Sequence, residues 1–133
     1  MTSAIIVAAG KGTRMGPGVD KLFLEVAGRP LVAHTWQNFD ASPLVDEIIL
    51  VVRDGLQSAF AELARGYRFA KSFRTVAGGK ERQDSVWNCL RHMSDKNIDI
   101  AMIHDAVRPF VTRELVANVC TTAINVGAAI PVL

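Results

Sequence analysis

The segment Ile5-Ile6-Val7-Ala8-Ala9-Gly10-Lys11-Gly12-Thr13-Arg14-Met15-Gly16 runs a short apolar strand straight into a glycine-rich, basic loop, and Lys21 follows shortly after. In α/β proteins that junction is where phosphate is held, because strand ends and glycine loops expose backbone N–H groups to an anion. Gly10, Gly12 and Gly16 can take positive φ or let the backbone approach a ligand, and Lys11, Arg14 and Lys21 add positive charge. The loop suits a polyphosphate. A plain surface turn would explain the glycines but not the spacing of the cations.

Neither of the two commonest phosphate loops fits. A P-loop requires a glycine where Ile5 stands and Ser or Thr after its lysine, whereas Gly12 follows Lys11. A dinucleotide fingerprint requires its third glycine at Met15, one residue before Gly16, and an acidic residue at the end of the next strand, which is absent.

Periodicity along the rest of the chain alternates strands with helices. Ile5 to Ala8 reads as the first strand, and a helix begins at Pro30, repeats Leu31, Val32, Thr35, Trp36 and Phe39 on one face, and stops at Ser42-Pro43. Glu47 to Val52, apolar at successive positions from Ile48 to Val52, reads as a strand buried on both faces, as in a parallel sheet. Leu56, Phe60 and Leu63 predict a helix closed by Gly66, followed by a short strand at Arg74 to Val76. A helix from about Glu81 to Met93 comes next, then another buried strand at Ile98 to Ile103. Thr112 is an N-cap and Gly127 a C-cap for a helix ending at Val126, and Ala128 to Leu133 reads as a last strand. The fold class is α/β, a doubly wound and mostly parallel sheet. Trp36, Trp87 and Phe39 fall in helical stripes and belong to the core or an interface.

Composition narrows the partners. With 133 residues the chain builds one core, and its net charge of +2 gives no footprint for nucleic acid. No segment approaches the length of a membrane span and the N-terminus carries no leader pattern, so the expected location is the cytoplasm. Cys89 and Cys120 lack metal-ligand spacing and read as reduced, buried side chains.

Three segments then fall after the carboxyl ends of strands: the first loop, Val76 to Val86, and Ile103 to Val111. Ligands of an open α/β sheet bind at that edge, so distant segments can converge on one pocket. Within them, Asp105 follows an apolar strand and needs a cation; that cation is Mg²⁺ on a nucleotide, or Arg108, unless the carboxylate caps the next turn. His104 reads as a packing residue. Ser85 sits near a helix N-terminus, as a ligand contact or a simple cap.

Val7-Ala8-Ala9-Gly10-Lys11-Gly12-Thr13-Arg14-Met15-Gly16 with Asp20-Lys21 resembles the signature loop of the sugar-phosphate nucleotidyltransferases. With Val76-Ala77-Gly78-Gly79-Lys80-Glu81-Arg82-Gln83-Asp84-Ser85-Val86 and Ile103-His104-Asp105-Ala106-Val107-Arg108-Pro109-Phe110-Val111, the resemblance is to the 2-C-methyl-D-erythritol 4-phosphate cytidylyltransferase family. It implies a Rossmann-like nucleotidyltransferase fold, incomplete at its C-terminus, with residues 1–133 as the nucleotide-binding portion of a single domain. It also implies CTP and a polyol phosphate as substrates, Mg²⁺ as cofactor and a homodimer formed through an arm lying outside this sequence. Ala8, Ala9, Gly10, Lys11, Gly12, Gly79, Ser85 and Ala106 would then bind the nucleotide, Arg14 and Lys21 would be catalytic, and Asp105 would hold the metal. Arg82 and Arg108 would brace the pocket. Leu22 and Cys89 depart from the family pattern, where glutamine and glycine are usual. Ribitol-5-phosphate cytidylyltransferases share a similar signature. A non-catalytic nucleotide-binding module and a sugar-1-phosphate nucleotidyltransferase using another base are further readings.

Overall fold

The structure is a computed structural model that describes residues 1–12, 16, 20–93 and 97–132. Four strands form a parallel sheet in the order β5-β4-β1-β6, where β1 is Thr2–Ala8, β4 Glu47–Val52, β5 Phe73–Ala77 and β6 Ile100–Asp105. A two-stranded antiparallel ribbon, β2 (Glu25–Val26) and β3 (Arg29–Pro30), precedes α1 (Leu31–Asp40). The remaining helices are α2 (Gln57–Tyr67), α3 (Arg82–Met93) and α4 (Arg113–Val126), and Lys21–Phe23 form one 3-10 turn.

Strand alternation sorts the apolar side chains into two layers. Ala4, Ile6 and Ala8 of β1 and Ile48, Leu50 and Val52 of β4 face Val32, Trp36 and Phe39 of α1, Phe60 of α2 and Val116 of α4. Ile5, Ile49, Val51 and Val76 face Cys89 and Met93 of α3 on the other side. Trp36 is fully buried, with ring centroids 4.5 Å from Phe69, 5.1 Å from Phe73 and 6.4 Å from Phe60. Trp36→Ala therefore removes the centre of an aromatic cluster, a loss on the order of 3–5 kcal/mol.

The winding positions the site. The chain leaves β1 for β4 and then β5 on one side, and α3 returns it across β5, β4 and β1 to β6 on the other. The order reverses at β1 and β6, which is where an open sheet leaves a crevice at its carboxyl rim.

Several sequence expectations change. β6 is not a buried strand: none of its residues is fully buried and Ile103 is 40% exposed, because β6 is the outer strand of the described sheet. β6 also runs on to Asp105, which is its last residue rather than the first of the loop. Helix α2 passes through Gly66 and ends at Tyr67, capped by Arg68 in the left-handed conformation at φ 54°. Residues 128–132 form no strand among the described residues, and Ile130 and Val132 are exposed, because no ladder neighbour is there to satisfy their backbone. Trp87 is 62% exposed on α3, which removes the core half of its core-or-interface reading and does not bear on the other. His34, which its sequence position reads as an exposed helix residue, is half-buried, its Nε2 2.6 Å from the Val26 carbonyl oxygen.

Cys89 and Cys120 are both buried and free. Burial pushes the Cys89 thiol up to about 11, so folding favours its protonated form. That contribution is complete below about pH 8.5, where an unfolded thiol begins to ionise, and is lost as pH climbs toward the folded value. Native protein should alkylate at Cys89 far more slowly than urea-unfolded protein at pH 8, as measured by mass spectrometry of the labelled peptide.

Candidate functional site

The three loops meet at the rim because their backbones touch. In the middle, β1 ends at Ala8, which is buried, and leads through half-buried Ala9 to exposed Gly10 and Lys11. Gly12 has φ 61° and Gly16 φ 90°, left-handed conformations that glycine adopts without strain. On one flank, the Gly78 N–H donates to the Val52 carbonyl at 2.9 Å, extending the β4–β5 ladder past its end. A methyl group at Gly78 would stand 2.2 Å from the Ala9 Cβ and 3.2 Å from the Ser85 Oγ, so only glycine lets the second loop lie against the first. On the other flank, the Ala106 N–H donates to the Val7 carbonyl at 3.0 Å, and the buried Thr35 hydroxyl donates to the Ala106 carbonyl at 2.7 Å. Asn38 of the same helix donates to the Pro109 carbonyl at 2.8 Å. Helix α1 thus holds the third loop in place.

Within the second loop the Ser85 hydroxyl accepts from the Gly79 N–H at 3.0 Å and donates to the Glu81 carbonyl at 3.2 Å. Asp84 accepts from the Glu81 N–H at 2.9 Å. Ser85 is therefore a brace that curls the Gly79 backbone over the start of α3. A hydroxyl oxygen keeps a further lone pair for a ligand.

Asp105 ties the second and third loops together. Its Oδ1 accepts from Arg82 at 2.9 Å and its Oδ2 from Arg108 at 3.0 Å. The arginines are 58% and 74% exposed, so each pair adds little to stability, about 0–1 kcal/mol. Their importance is geometric: one carboxylate joins the start of α3 to the turn after β6 through a guanidinium on each oxygen. An open depression of about 380 Å³ lies beside Glu81, Arg82 and Gln83. His104 packs on Phe39 at 5.1 Å between ring centroids, and its Nε2 lies 2.8 Å from the Arg108 carbonyl, which fits a packing role.

The donor set does not make a protein-built metal centre. Among the described residues no group of three or more His, Cys, Asp or Glu side chains converges, and both oxygens of Asp105 already meet guanidinium groups. Any Mg²⁺ here would have to arrive with phosphate oxygens as its principal ligands.

Lys21 opens the 3-10 turn, whose next residue, Leu22, is buried in the core. Among the described residues no ion pair or hydrogen bond joins Lys21 to Asp105. Arg14 lies outside the described residues. Sequence reading did not find Arg53, which follows β4 at the same rim and pairs with Asp20, nor Thr35, which looks like any other residue of the buried helix face. Their partners stand 33 and 71 positions away, so no local pattern could have signalled them.

A sequence model of the family described as 2-C-methyl-D-erythritol 4-phosphate cytidylyltransferase (IspD) matches residues 2–133. The chain belongs to this family. A family member from Clostridium botulinum strain Langeland is 42% identical over 127 residues, 96% of this chain and 55% of the relative. One from Bacillus mycoides strain KBAB4 is 39% identical over 130 residues, covering 98% and 57%. Among solved structures, the 4-diphosphocytidyl-2C-methyl-D-erythritol synthase of Anaerococcus prevotii superposes with a TM-score of 0.77 at 31% identity, covering 92% of this chain and 50% of that one. The chain spans about half the length of the curated relatives it matches.

Gly78→Ala should destabilise the protein by roughly 2–3 kcal/mol or prevent folding, since the Ala9 Cβ and the strand beneath it cannot retreat. Thr35→Val leaves the Ala106 carbonyl without its donor and should cost about 1–3 kcal/mol. Urea denaturation of each variant measures both.

Proposed function

We propose that this chain supplies the nucleotide-binding part of an enzyme that transfers a cytidylyl group from CTP to 2-C-methyl-D-erythritol 4-phosphate. The observation that carries this reading is the meeting of three loops, each bearing a family motif, at the one place where the strand order reverses. Family membership supports the substrate pair.

In the proposed reaction an oxygen of the acceptor phosphate attacks the α-phosphorus of CTP. The bond from that phosphorus to the bridging oxygen breaks, and pyrophosphate leaves with the electron pair. The nucleophile is already an anion, so no covalent intermediate or general base is needed. Catalysis then rests on alignment and on neutralising charge at the α-phosphate and the leaving group. Ala8, Ala9, Gly10, Lys11 and Gly12 would hold the nucleotide through the first loop, Gly79 and Ser85 would meet the cytidine, and Ala106 would flank the ribose. Lys21 and Arg14 would stabilise the transition state. Mg²⁺ would come as the companion of the triphosphate, and Asp105, each of whose oxygens keeps a lone pair beside its bond to Arg82 or Arg108, would share it. A homodimer in the longer protein and a cytoplasmic location belong to the same proposal. No helix among the described residues is long and apolar enough to cross a membrane.

Pyrophosphate release, measured with CTP, Mg²⁺ and either methylerythritol phosphate or ribitol phosphate, tests the reading on this chain and on one extended to the relatives' length. Release on the longer chain with methylerythritol phosphate alone is expected; release only with ribitol phosphate, or with neither, contradicts it. In an active form Lys21→Ala should lower kcat about 10²–10³-fold while the Kd for CTP rises by no more than about tenfold. Equal losses in both would remove Lys21 from the transition state.

A further inference from the structure

The glycine-rich loop returns to the core through Asp20. One oxygen of its carboxylate accepts from the Leu22 N–H at 3.1 Å and caps the 3-10 turn that presents Lys21. The other accepts from the guanidinium of Arg53. Beyond the cap, Leu22 is buried and Phe23 packs on Phe60 at 5.8 Å between centroids, so the backbone around Lys21 is fixed on both sides. Arg53 directly follows Val52, the residue whose carbonyl receives the Gly78 N–H, and so stands between the first and second loops.

This arrangement places an anion next to the lysine meant for phosphate. An uncompensated Asp20 would draw the Lys21 ammonium toward itself and repel a triphosphate, and both effects act well within a Debye length. Asp20 and Arg53 are about three-tenths exposed, so water screens their interaction only partly. Among the described residues no carboxylate pairs with Lys21. We propose that Arg53 is a positioning residue for Lys21: by pairing with Asp20 it cancels the charge of the capping carboxylate and leaves the lysine available to phosphate.

The inference rests on the triphosphate reading above and adds a residue outside the three motif loops. Its signature is a charge effect that a purely structural role would not produce. Asparagine at position 20 keeps the cap oxygen for Leu22 and drops the charge. Binding of CTP with Mg²⁺ and of inorganic tripolyphosphate is measured by calorimetry on wild-type protein, Arg53→Gln, Asp20→Asn and the double variant, with thermal unfolding of each. Arg53→Gln should weaken both ligands about tenfold, with the loss shrinking as salt is raised. Asp20→Asn should bind at least as tightly as wild type, and the double variant should return to within about threefold of it although the ion pair is gone. Unchanged affinity in Arg53→Gln, or a double variant as weak as Arg53→Gln, overturns the inference. If wild type binds neither ligand, the phosphate-site reading fails as well, a result distinct from tight binding that ignores Arg53.

Discussion

Strand β1, held between β4 and β6 in parallel register, is the interaction on which the rest of the molecule depends. Val7 stands opposite Val51 on one side and Asp105 on the other, so the pairing sets the height at which both neighbouring loops leave the sheet. Ala4, Ile5 and Ile6 are buried, which fixes the register, since a slip of one residue would turn every apolar side chain to the wrong layer. Two backbone bonds then carry the ladder past its ends, from Gly78 to Val52 and from Ala106 to Val7. The site is in that sense the fraying end of the sheet, where N–H groups that would continue the ladder become available to a ligand.

Small residues do at this rim what large ones do in the core. Ala9 and Gly78 allow two loops to lie in contact, and buried Ala106 lets helix α1 seize its carbonyl through Thr35. Charge is arranged with similar economy. Asp105 is met by Arg82 and Arg108, and Asp20 by Arg53, so neither carboxylate stands at the rim uncompensated.

Much of this was legible in the sequence. Five successive apolar residues from Ile48 to Val52 announced the interior parallel strand that is buried throughout, and Thr112 and Gly127 marked both ends of α4. The rim assignment followed from alternation alone, because strand-loop-helix order puts every such loop on one edge. What failed depends on neighbours. An apolar run cannot say whether it is interior or outermost, so the exposed face of β6 was missed, and Ala128 to Val132 looks strand-like without a partner to pair with. Two-residue strands such as β2 and β3 lie below any periodic signal. In the site, the glycines and lysines were visible as a local pattern, whereas Arg82 to Asp105 and Asp20 to Arg53 are pairings across the fold.

Amide hydrogen exchange with and without CTP and Mg²⁺ tests most directly whether the three loops form one site. The account predicts added protection together at residues 9–12, 78–85 and 104–108, with the lower ends of the strands unchanged. Protection confined to a single loop, or appearing away from the carboxyl rim, would contradict it.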